Sequence, residues 1–155
     1  MIAIESASVD SFKALSGIPD LQKAFPLMSH PRFCRSITGV SKVVEDSQEK
    51  GLIVDLRPFG EFRAFGARET MLIVYPQFQR QGIGRAMISL LKEDQHQGFF
   101  VSAAANFGSK AFFYSQPGLI LAHENLRYRV YKLAVSSTSV KTVPLFLKKP
   151  FLPRS

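Results

Sequence analysis

The clearest pattern in the chain is an apolar segment that meets a glycine-bearing turn and then becomes helical. Residues 72–75 are apolar and lead into Pro76. Beyond Gly82 and Gly84, apolar residues recur at helical spacing. These positions are Ile83, Met87, Leu90 and Leu91. The region is therefore predicted to be a strand, a turn and the start of a helix over residues 83–93.

Alternating apolar positions and turn residues predict the remaining elements. The N-terminal part is expected to hold a strand within 1–8, short helices near 11–15 and 20–28, and strands over 40–45 and 52–56 joined by a polar turn at 46–51. The C-terminal part is expected to hold a strand over 62–74, a strand over 99–101, a helix around Tyr114, and strands over 119–122 and 126–133. The predicted order is a strand, helices, three strands, a helix, a strand, a helix and two strands.

The glycine turn has the chemistry of an anion site. Gly82 and Gly84 let the backbone present several N–H groups at the positive end of a helix dipole. A P-loop is excluded because no glycine is followed by Lys and then Ser or Thr. A dinucleotide fingerprint fits poorly because Met87 stands at its third glycine or alanine position. The remaining pattern is Q/R-x-x-G-x-G/A, which begins at Gln79.

This pattern resembles the acetyl-CoA pyrophosphate loop of the GCN5-related N-acetyltransferases (GNAT superfamily). The resemblance extends from residue 40 to 133, because Val74 and Pro76 match the end of the family's fourth strand, and Phe113-Tyr114 followed by Gly118 matches its last helix. It implies an α/β fold of the α+β type. The expected sheet is mixed and mostly antiparallel, has six to seven strands, is splayed at the acetyl-CoA site and is flanked by about four helices.

The resemblance also implies a function and a set of site residues. The expected enzyme transfers an acetyl group from acetyl-CoA to an unidentified primary amine of a small molecule, peptide or protein, by direct attack and without a metal. By resemblance, the backbone near Val74 polarises the thioester and the loop binds the pyrophosphate. The implied coenzyme-binding residues are Leu72, Ile73, Val74, Gln79, Arg80, Gln81, Gly82, Ile83, Gly84, Arg85, Asn106 and Tyr114.

Two residues are candidates for proton transfer. Tyr114 matches the family tyrosine that donates a proton to the coenzyme A sulfur. Asn106, the candidate for the family's coenzyme-binding asparagine, precedes Tyr114 by eight residues, one more than the family's usual spacing. Glu69 is the candidate general base, although the two-residue period of a strand places it on the face opposite Val74. The loop is also very like that of ribosomal-protein N-terminal alanine acetyltransferases. Those enzymes carry a glutamate on the fifth strand, where this chain has Val101 or Ser102, so that substrate is not assigned.

Composition indicates one domain over residues 1–135 and a tail over 136–155. The chain has 155 residues, of which 46% are hydrophobic. Cys34 is the sole cysteine, so no intrachain disulfide forms, and a reducing, cytoplasmic setting is expected. The protein is expected to be a monomer or a homodimer. A signal peptide is not expected, because residues 1–10 include Glu5 and Asp10 and no basic residue, and no apolar stretch approaches the roughly 20 residues that cross a bilayer. The three histidines, at 30, 96 and 123, lack metal-ligand spacing and are expected in turns or on the surface.

Charge is concentrated at the C-terminal end. The net charge is +8, and the residues after Glu124 include seven Lys or Arg and no Asp or Glu. One interpretation is a solvated strand face with a tail that packs on the domain through Val143, Leu145 and Phe146, and this interpretation is favoured. The other is a surface for an acidic protein, a nucleic acid or an anionic substrate.

Two other functions stay open beside the acetyltransferase. A catalytically degenerate GNAT fold would bind coenzyme A or a partner without catalysis. An acetyltransferase or binding module could instead act on RNA or on an RNA-associated protein. Assays of acetyl transfer to a panel of amines distinguish the first, and salt-dependent RNA binding distinguishes the second.

Overall fold

The computed structural model describes residues 1–24 and 30–134. Its strands are β1 (Ile2–Ala7), β2 (Ile37–Glu45), β3 (Gln48–Leu56), β4 (Glu69–Val74), β5 (Phe99–Ala103), β6 (Leu119–Glu124) and β7 (Tyr128–Leu133). Its α-helices are α1 (Val9–Lys13), α2 (Pro19–Ala24), α3 (Pro31–Arg35), α4 (Ile83–Glu93) and α5 (Phe107–Tyr114). Short 3₁₀ helices cover Ala14–Gly17, Gly60–Phe65 and Pro76–Phe78.

Within these residues the strands form one mixed sheet with a split in its middle. The strand order is β1-β2-β3-β4-β5-β7-β6, and the neighbours are antiparallel except for β4 and β5. The parallel pair β4–β5 has a single matched position, Glu69 with Phe99. Beyond that pair the two strands diverge, and the seven strands confirm the predicted mixed, splayed sheet of six to seven strands.

Helices cover both faces of the sheet, and each face has its own core. On the first face, Phe12, Leu15 and Leu21 from the N-terminal helical segment pack against strand residues that include Leu52 and Ile73. On the second face, α4 and α5 bury a cluster that contains Ile83, Met87, Leu91, Phe100 and Phe113. The helix over 83–93 was predicted correctly because its apolar stripe is long enough to show the helical period.

The β2–β3 hairpin turns more tightly than its sequence suggests. The prediction of a turn over 46–51 was too long, because β3 begins at Gln48. Asp46 and Ser47 both have positive φ, 53° and 63°. Two consecutive residues of that conformation make a type I′ turn, whose twist matches the flanking strands. The polar residues that follow belong to the exposed start of β3.

The predicted strand over 62–74 was wrong in its first half. Residues Gly60–Phe65 form a 3₁₀ helix, and β4 begins only at Glu69. Phe62 packs on Tyr128 with ring centroids 4.8 Å apart, and Phe65 packs on Phe99 at 5.9 Å. These contacts to the distant β5 and β7 outweigh the local strand propensity of the two phenylalanines. The connection therefore lies across the first face of β5 and β7.

Other boundaries differ by a few residues from those predicted. Helix α3 was not predicted, and β7 begins two residues later than expected because Asn125 Oδ1 accepts hydrogen bonds from the N–H groups of Arg127 and Tyr128. The predicted helix residues 25–28 and the tail from 135 onward lie outside the described residues. No helix in the described parts of the chain is long and apolar enough to span a membrane.

Candidate functional site

The split between β4 and β5 leaves backbone groups of β4 without a strand partner. Tyr75 N–H donates to Lys50 O at 3.0 Å, so the residues at odd positions in β4 bond to β3. Leu72 and Val74 therefore direct their N–H and C=O groups toward β5, where the strands have diverged. On the β5 side, Phe99 N–H donates to Arg68 O at 3.0 Å, which marks the apex of the split.

Among the predicted coenzyme residues of β4, Ile73 differs from its neighbours. Its side chain is buried in the first-face core, and its position in the ladder turns its backbone groups to β3. Leu72 and Val74 instead pack their side chains on the second face and direct their backbone into the split. The Val74 carbonyl accepts a hydrogen bond from Gln79 Nε2 at 3.2 Å, which ties the loop to the end of β4.

The glycine loop ends at a helix N-terminus that no side chain caps. Gly82 is the N-cap of α4 with φ 83°, and Ala86 N–H makes the first helical bond, to Gly82 O. The N–H groups of Ile83, Gly84 and Arg85 consequently lack an intrahelical acceptor. Residues 79–82 are exposed, so these donors face an open surface at the positive end of the helix dipole.

The two glycines of the loop have different roles. A Cβ on Gly82 would meet nothing within 4 Å, and only its positive φ restricts the choice of residue. A Cβ on Gly84 would lie 2.8 Å from Cε1 of Phe112. Gly84 is therefore needed for the approach of α5 to α4, in addition to any contact of its N–H with an anion.

The loop also holds cations beside these donors. Arg80 has a positive φ of 65° and is exposed, and Arg85 is exposed in the first turn of α4. Gln81 Nε2 donates to Gln77 O at 3.3 Å, which stiffens the segment before the helix. The arrangement combines a helix dipole, free N–H groups and two guanidinium groups, and it fits a doubly charged anion.

The two polar candidates of α5 lie at opposite ends of that helix. Asn106 is its N-cap, and its Oδ1 accepts the N–H of Ser109 at 3.0 Å. The amide Nδ2 is left to donate. Tyr114 is the last residue of α5 and is 79% exposed, whereas Phe112 contacts Gly84 and Phe113 lies in the core.

Glu69 lies on the first face of the sheet, as its register predicted. The β3–β4 ladder runs without a bulge from Gly51–Val74 to Leu56–Glu69. The side chain of Glu69 therefore lies on the opposite face of the sheet from those of Leu72 and Val74. Within the described residues its carboxylate has no cation or hydrogen-bond donor, and burial raises its pKa to about 7. At roughly 3.3 Å per residue, Glu69 is about 10 Å along the strand from Leu72 and about 17 Å from Val74.

A buried polar network, which the sequence did not reveal, fastens the apex of the split. Thr70 Oγ1 donates to Asp55 Oδ1 at 2.7 Å and lies 2.7 Å from His96 Nε2. Because the threonine proton goes to Asp55, Nε2 of His96 is assigned as a donor. Burial favours a higher pKa for Asp55, but the hydrogen bonds from His96 and Thr70 hold that pKa below its usual value.

The network corrects the expectation that His96 is a turn or surface residue. Its side chain is only 8% exposed, and Nε2 lies 3.4 Å from Asp55 Oδ1. Gly98 makes room for it, since a Cβ there would be 2.6 Å from His96 Nε2. The contact joins residues far apart in the chain, and for that reason no local motif announced it. No group of three or more His, Cys, Asp or Glu in the described parts could hold a metal ion.

The basic strand at the C-terminal end is partly neutralised. Arg127 Nη2 contacts both carboxylate oxygens of Glu61, at 3.1 and 3.0 Å, and Tyr128 Oη donates to the same carboxylate. Arg129 Nε donates to Glu124 at 2.6 Å. The Arg127 contact links the segment before β7 to the 3₁₀ connection, and the Arg129 contact links β7 to β6.

Comparison with known proteins identifies the fold. The chain matches Naa50 of Arabidopsis thaliana in complex with the bisubstrate analogue CoA-Ac-MVNAL with a TM-score of 0.57 and 13% identity, covering 86% of this chain and 98% of that chain. It matches yncA, a putative acetyltransferase of Salmonella typhimurium with its cofactor acetyl-CoA, with a TM-score of 0.54 and 13% identity, covering 88% and 95%.

A third match is the ribosomal-protein-S18-alanine N-acetyltransferase of Escherichia coli, with a TM-score of 0.50 and 17% identity over 88% of this chain and 95% of that chain. No family model and no curated protein matches the sequence. At such low identities the likeness concerns the fold: the chain has the GNAT fold, as the resemblance of its loop implied.

Proposed function

We propose that this chain is an N-acetyltransferase that transfers an acetyl group from acetyl-CoA to a primary amine by direct attack. The observation that carries the proposal is the split between β4 and β5, with the backbone of Leu72 and Val74 directed into it and an uncapped helix N-terminus at its open end. A thioester with a pyrophosphate arm needs both features. The solved structures with this fold include complexes with acetyl-CoA and coenzyme A.

The glycine loop would hold the pyrophosphate. The N–H groups of Ile83, Gly84 and Arg85 have no protein acceptor, so an anion satisfies them without displacing an existing bond. Arg80 and Arg85 add positive charge, and the dipole of α4 contributes in the same direction. Each charge-assisted hydrogen bond of this kind is about twice as strong as a neutral one.

The strand β4 would orient the thioester. The N–H of Leu72 or Val74 donates to the thioester carbonyl, which increases the partial positive charge on the carbon that the amine attacks. Because Gln79 already binds the Val74 carbonyl, the acceptor group free for a pantetheine amide is the carbonyl of Leu72. The chain's own backbone therefore supplies both positioning and polarisation.

Protons would move at two places. Tyr114 is proposed to protonate the departing thiolate, and its hydroxyl is freely accessible. Glu69 is proposed to accept the amine proton through water, because about 10 Å of strand separates it from Leu72. A carboxylate with a pKa of about 7 is suited to this role near neutral pH. Asn106 has only its Nδ2 left to offer to the coenzyme.

A second function is favoured by one observation. The residue of α5 that faces the glycine loop is Phe112, whereas Tyr114 lies on the exposed side of the helix. A chain that keeps this arrangement with coenzyme bound would hold acetyl-CoA or a partner without transferring the acetyl group. Release of coenzyme A thiol in the presence of an amine panel, measured with a thiol reagent, distinguishes the enzyme from the binding module.

The coenzyme site is tested most cleanly at Gly82. Gly82→Asp places a negative charge beside the free N–H groups without a steric clash, and Gly82→Asn is its neutral control with the same backbone strain. At about 6 Å and an effective dielectric constant of about 20 to 40, one extra charge costs about 1.4 to 2.8 kcal/mol. The Asp variant should therefore bind acetyl-CoA at least about tenfold more weakly than the Asn variant.

Isothermal titration calorimetry on both folded variants measures this difference. Equal affinities of the two variants for acetyl-CoA would mean that the pyrophosphate does not bind at this helix terminus. The proposed function would then fail. Gly84 is a poorer test because a side chain there also pushes against Phe112.

A further inference from the structure

Four exposed arginines lie in or beside the segments that border the ends of β3 and β4 farthest from the glycine loop. We call this set the arginine edge, and it consists of Arg35, Arg57, Arg63 and Arg68. Arg57 N–H donates to Ser36 O at 2.8 Å, which places the end of α3 beside the end of β3. Arg63 lies in the 3₁₀ helix between β3 and β4, where its Nε donates to Gly60 O at 3.2 Å.

The register of the sheet brings two of these charges together. Leu56 pairs with Glu69 in the antiparallel ladder of β3 and β4. Arg57 and Arg68 are the next residues outward, so they flank the same end of that ladder. Both arginines therefore add positive charge at this end of the sheet.

Nearby carboxylates neutralise the arginine edge only in part: the charge of Arg68 helps to lower the pKa of Asp55, although the two side chains form no ion pair. Asp55 is engaged by Thr70 and His96, and Glu61 is engaged by Arg127 and Tyr128. Glu69 faces the first-face core. Across residues 1–24 and 30–134, no ion pair joins a member of the arginine edge to a carboxylate. The guanidinium groups are consequently available to an external partner.

A groove lies beside one member of the arginine edge, and an exposed aromatic residue lies between two other members in the sequence. Lys13 of α1 and Arg35 of α3 line a shallow groove between their helices. Phe59, which lies between Arg57 and Arg63 in sequence, is 40% exposed. An exposed phenylalanine between arginines offers a stacking platform for an unpaired base, whereas an acidic peptide gains nothing from the aromatic face.

We propose that the arginine edge and Phe59 bind single-stranded nucleic acid, with the guanidinium groups on phosphates and the phenyl ring stacked on a base. Arginine forks match phosphate oxygens in pairs, which favours a phosphate-bearing partner at this surface. This site is separate from the glycine loop. The binding of nucleic acid and the acetylation of a small amine are thus independent properties of the chain.

The probe is a fluorescein-labelled single-stranded RNA of about 20 nucleotides, titrated with the full chain at about 50 to 200 mM KCl and followed by fluorescence anisotropy. The triple variant Arg57→Gln/Arg63→Gln/Arg68→Gln should bind more weakly. It should also reduce the slope of log K against log salt by about 2, because each contact with a single-strand phosphate contributes about 0.7. A DNA strand of the same length shows whether the ribose hydroxyl contributes.

Phe59→Ala tests stacking separately from charge. The loss of one base–aromatic stack should weaken binding roughly 5- to 100-fold and leave the salt slope unchanged. The matched charge control is Lys141→Gln/Lys148→Gln/Lys149→Gln, which removes three charges from the tail and should alter binding far less. The triple arginine variant and Phe59→Ala should both keep their activity on a small free amine, and circular dichroism at the assay temperature should show that both are folded.

Three results would overturn the proposal. One is an unchanged affinity and slope in the triple arginine variant. Another is a larger loss in the tail control, which would assign binding to the tail. The third is displacement of the RNA by polyglutamate at equal charge concentration together with no effect of Phe59→Ala, since the partner would then be an acidic protein.

Discussion

Glu69 offers a measurement that depends only on the folded structure and not on any ligand. Its side chain is partly buried on the first face of β4, and burial raises its pKa from 4.5 to about 7. A carboxyl group whose pKa is raised in the folded state contributes its full stability below pH 4.5. That contribution is lost as the pH rises through about 7, because the folded chain must then hold a desolvated charge.

The magnitude follows from the difference between the two pKa values. A gap of about 2.5 pH units corresponds to roughly 3 kcal/mol of unfolding free energy. Glu69→Gln removes the titration and keeps the shape of the side chain. Relative to the wild type, the variant should gain up to roughly 3 kcal/mol between pH 4.5 and pH 8.

Urea denaturation of both proteins at several pH values between about 4.5 and 8.5 measures this gain, provided that the dependence on urea concentration is the same in each. Glu93→Gln is the control for the loss of one carboxylate, because Glu93 is exposed on α4. A difference between wild type and Glu69→Gln that stays constant over this range would refute the reasoning. It would mean that water or a cation stabilises the Glu69 carboxylate in the folded state.

Three further changes have defined outcomes. Gly51→Ala should lower the free energy of unfolding, measured in urea, by about 3 kcal/mol, because a Cβ there would lie 2.2 Å from Ile73 O and 2.7 Å from Cε of Met87. A loss below about 1 kcal/mol would contradict this close approach. Ser47→Gly should stabilise the β2–β3 turn by about 1 kcal/mol, since φ at this position is 63°, and an unchanged melting temperature would argue against the type I′ turn. Tyr114→Phe should lower the rate of acetyl transfer roughly 10²- to 10⁴-fold, and full activity would remove Tyr114 from the chemistry.

Local sequence was sufficient where the interactions that decide the structure are local. The stripe from Ile83 to Leu91 predicts α4, and Gly82 predicts the turn before it, because helix periodicity and backbone freedom both act over a few residues. The splayed sheet was predicted by family resemblance and is confirmed. The register of Glu69 was predicted from the two-residue period of a strand, and it also agrees with the structure.

Distant contacts decided the features that the sequence did not reveal. Phe62 and Phe65 look like strand residues until Tyr128 and Phe99 are brought beside them. The local sequence around His96 predicts a turn residue, because its contacts with Thr70 of β4 and Asp55 of β3 join residues far apart in the chain. Phe112 of α5 packs against Gly84 of α4, and this orientation of α5 leaves Tyr114 exposed. Such choices are made by packing between elements, and no window of neighbouring residues contains them.

The single pair that joins β4 to β5 gives one strand two kinds of amide. Ile73 N–H is held by β3, so its exchange with deuterium requires the ladder to open. The N–H groups of Leu72 and Val74 point into the split between β4 and β5, where no strand accepts them, so they can exchange while the sheet is intact. Exchange along β4 should therefore alternate between slow and fast from one residue to the next. A ligand that binds in the split and accepts these hydrogen bonds, as a neighbouring strand would, should slow the exchange of the Leu72 and Val74 amides and leave that of Ile73 unchanged.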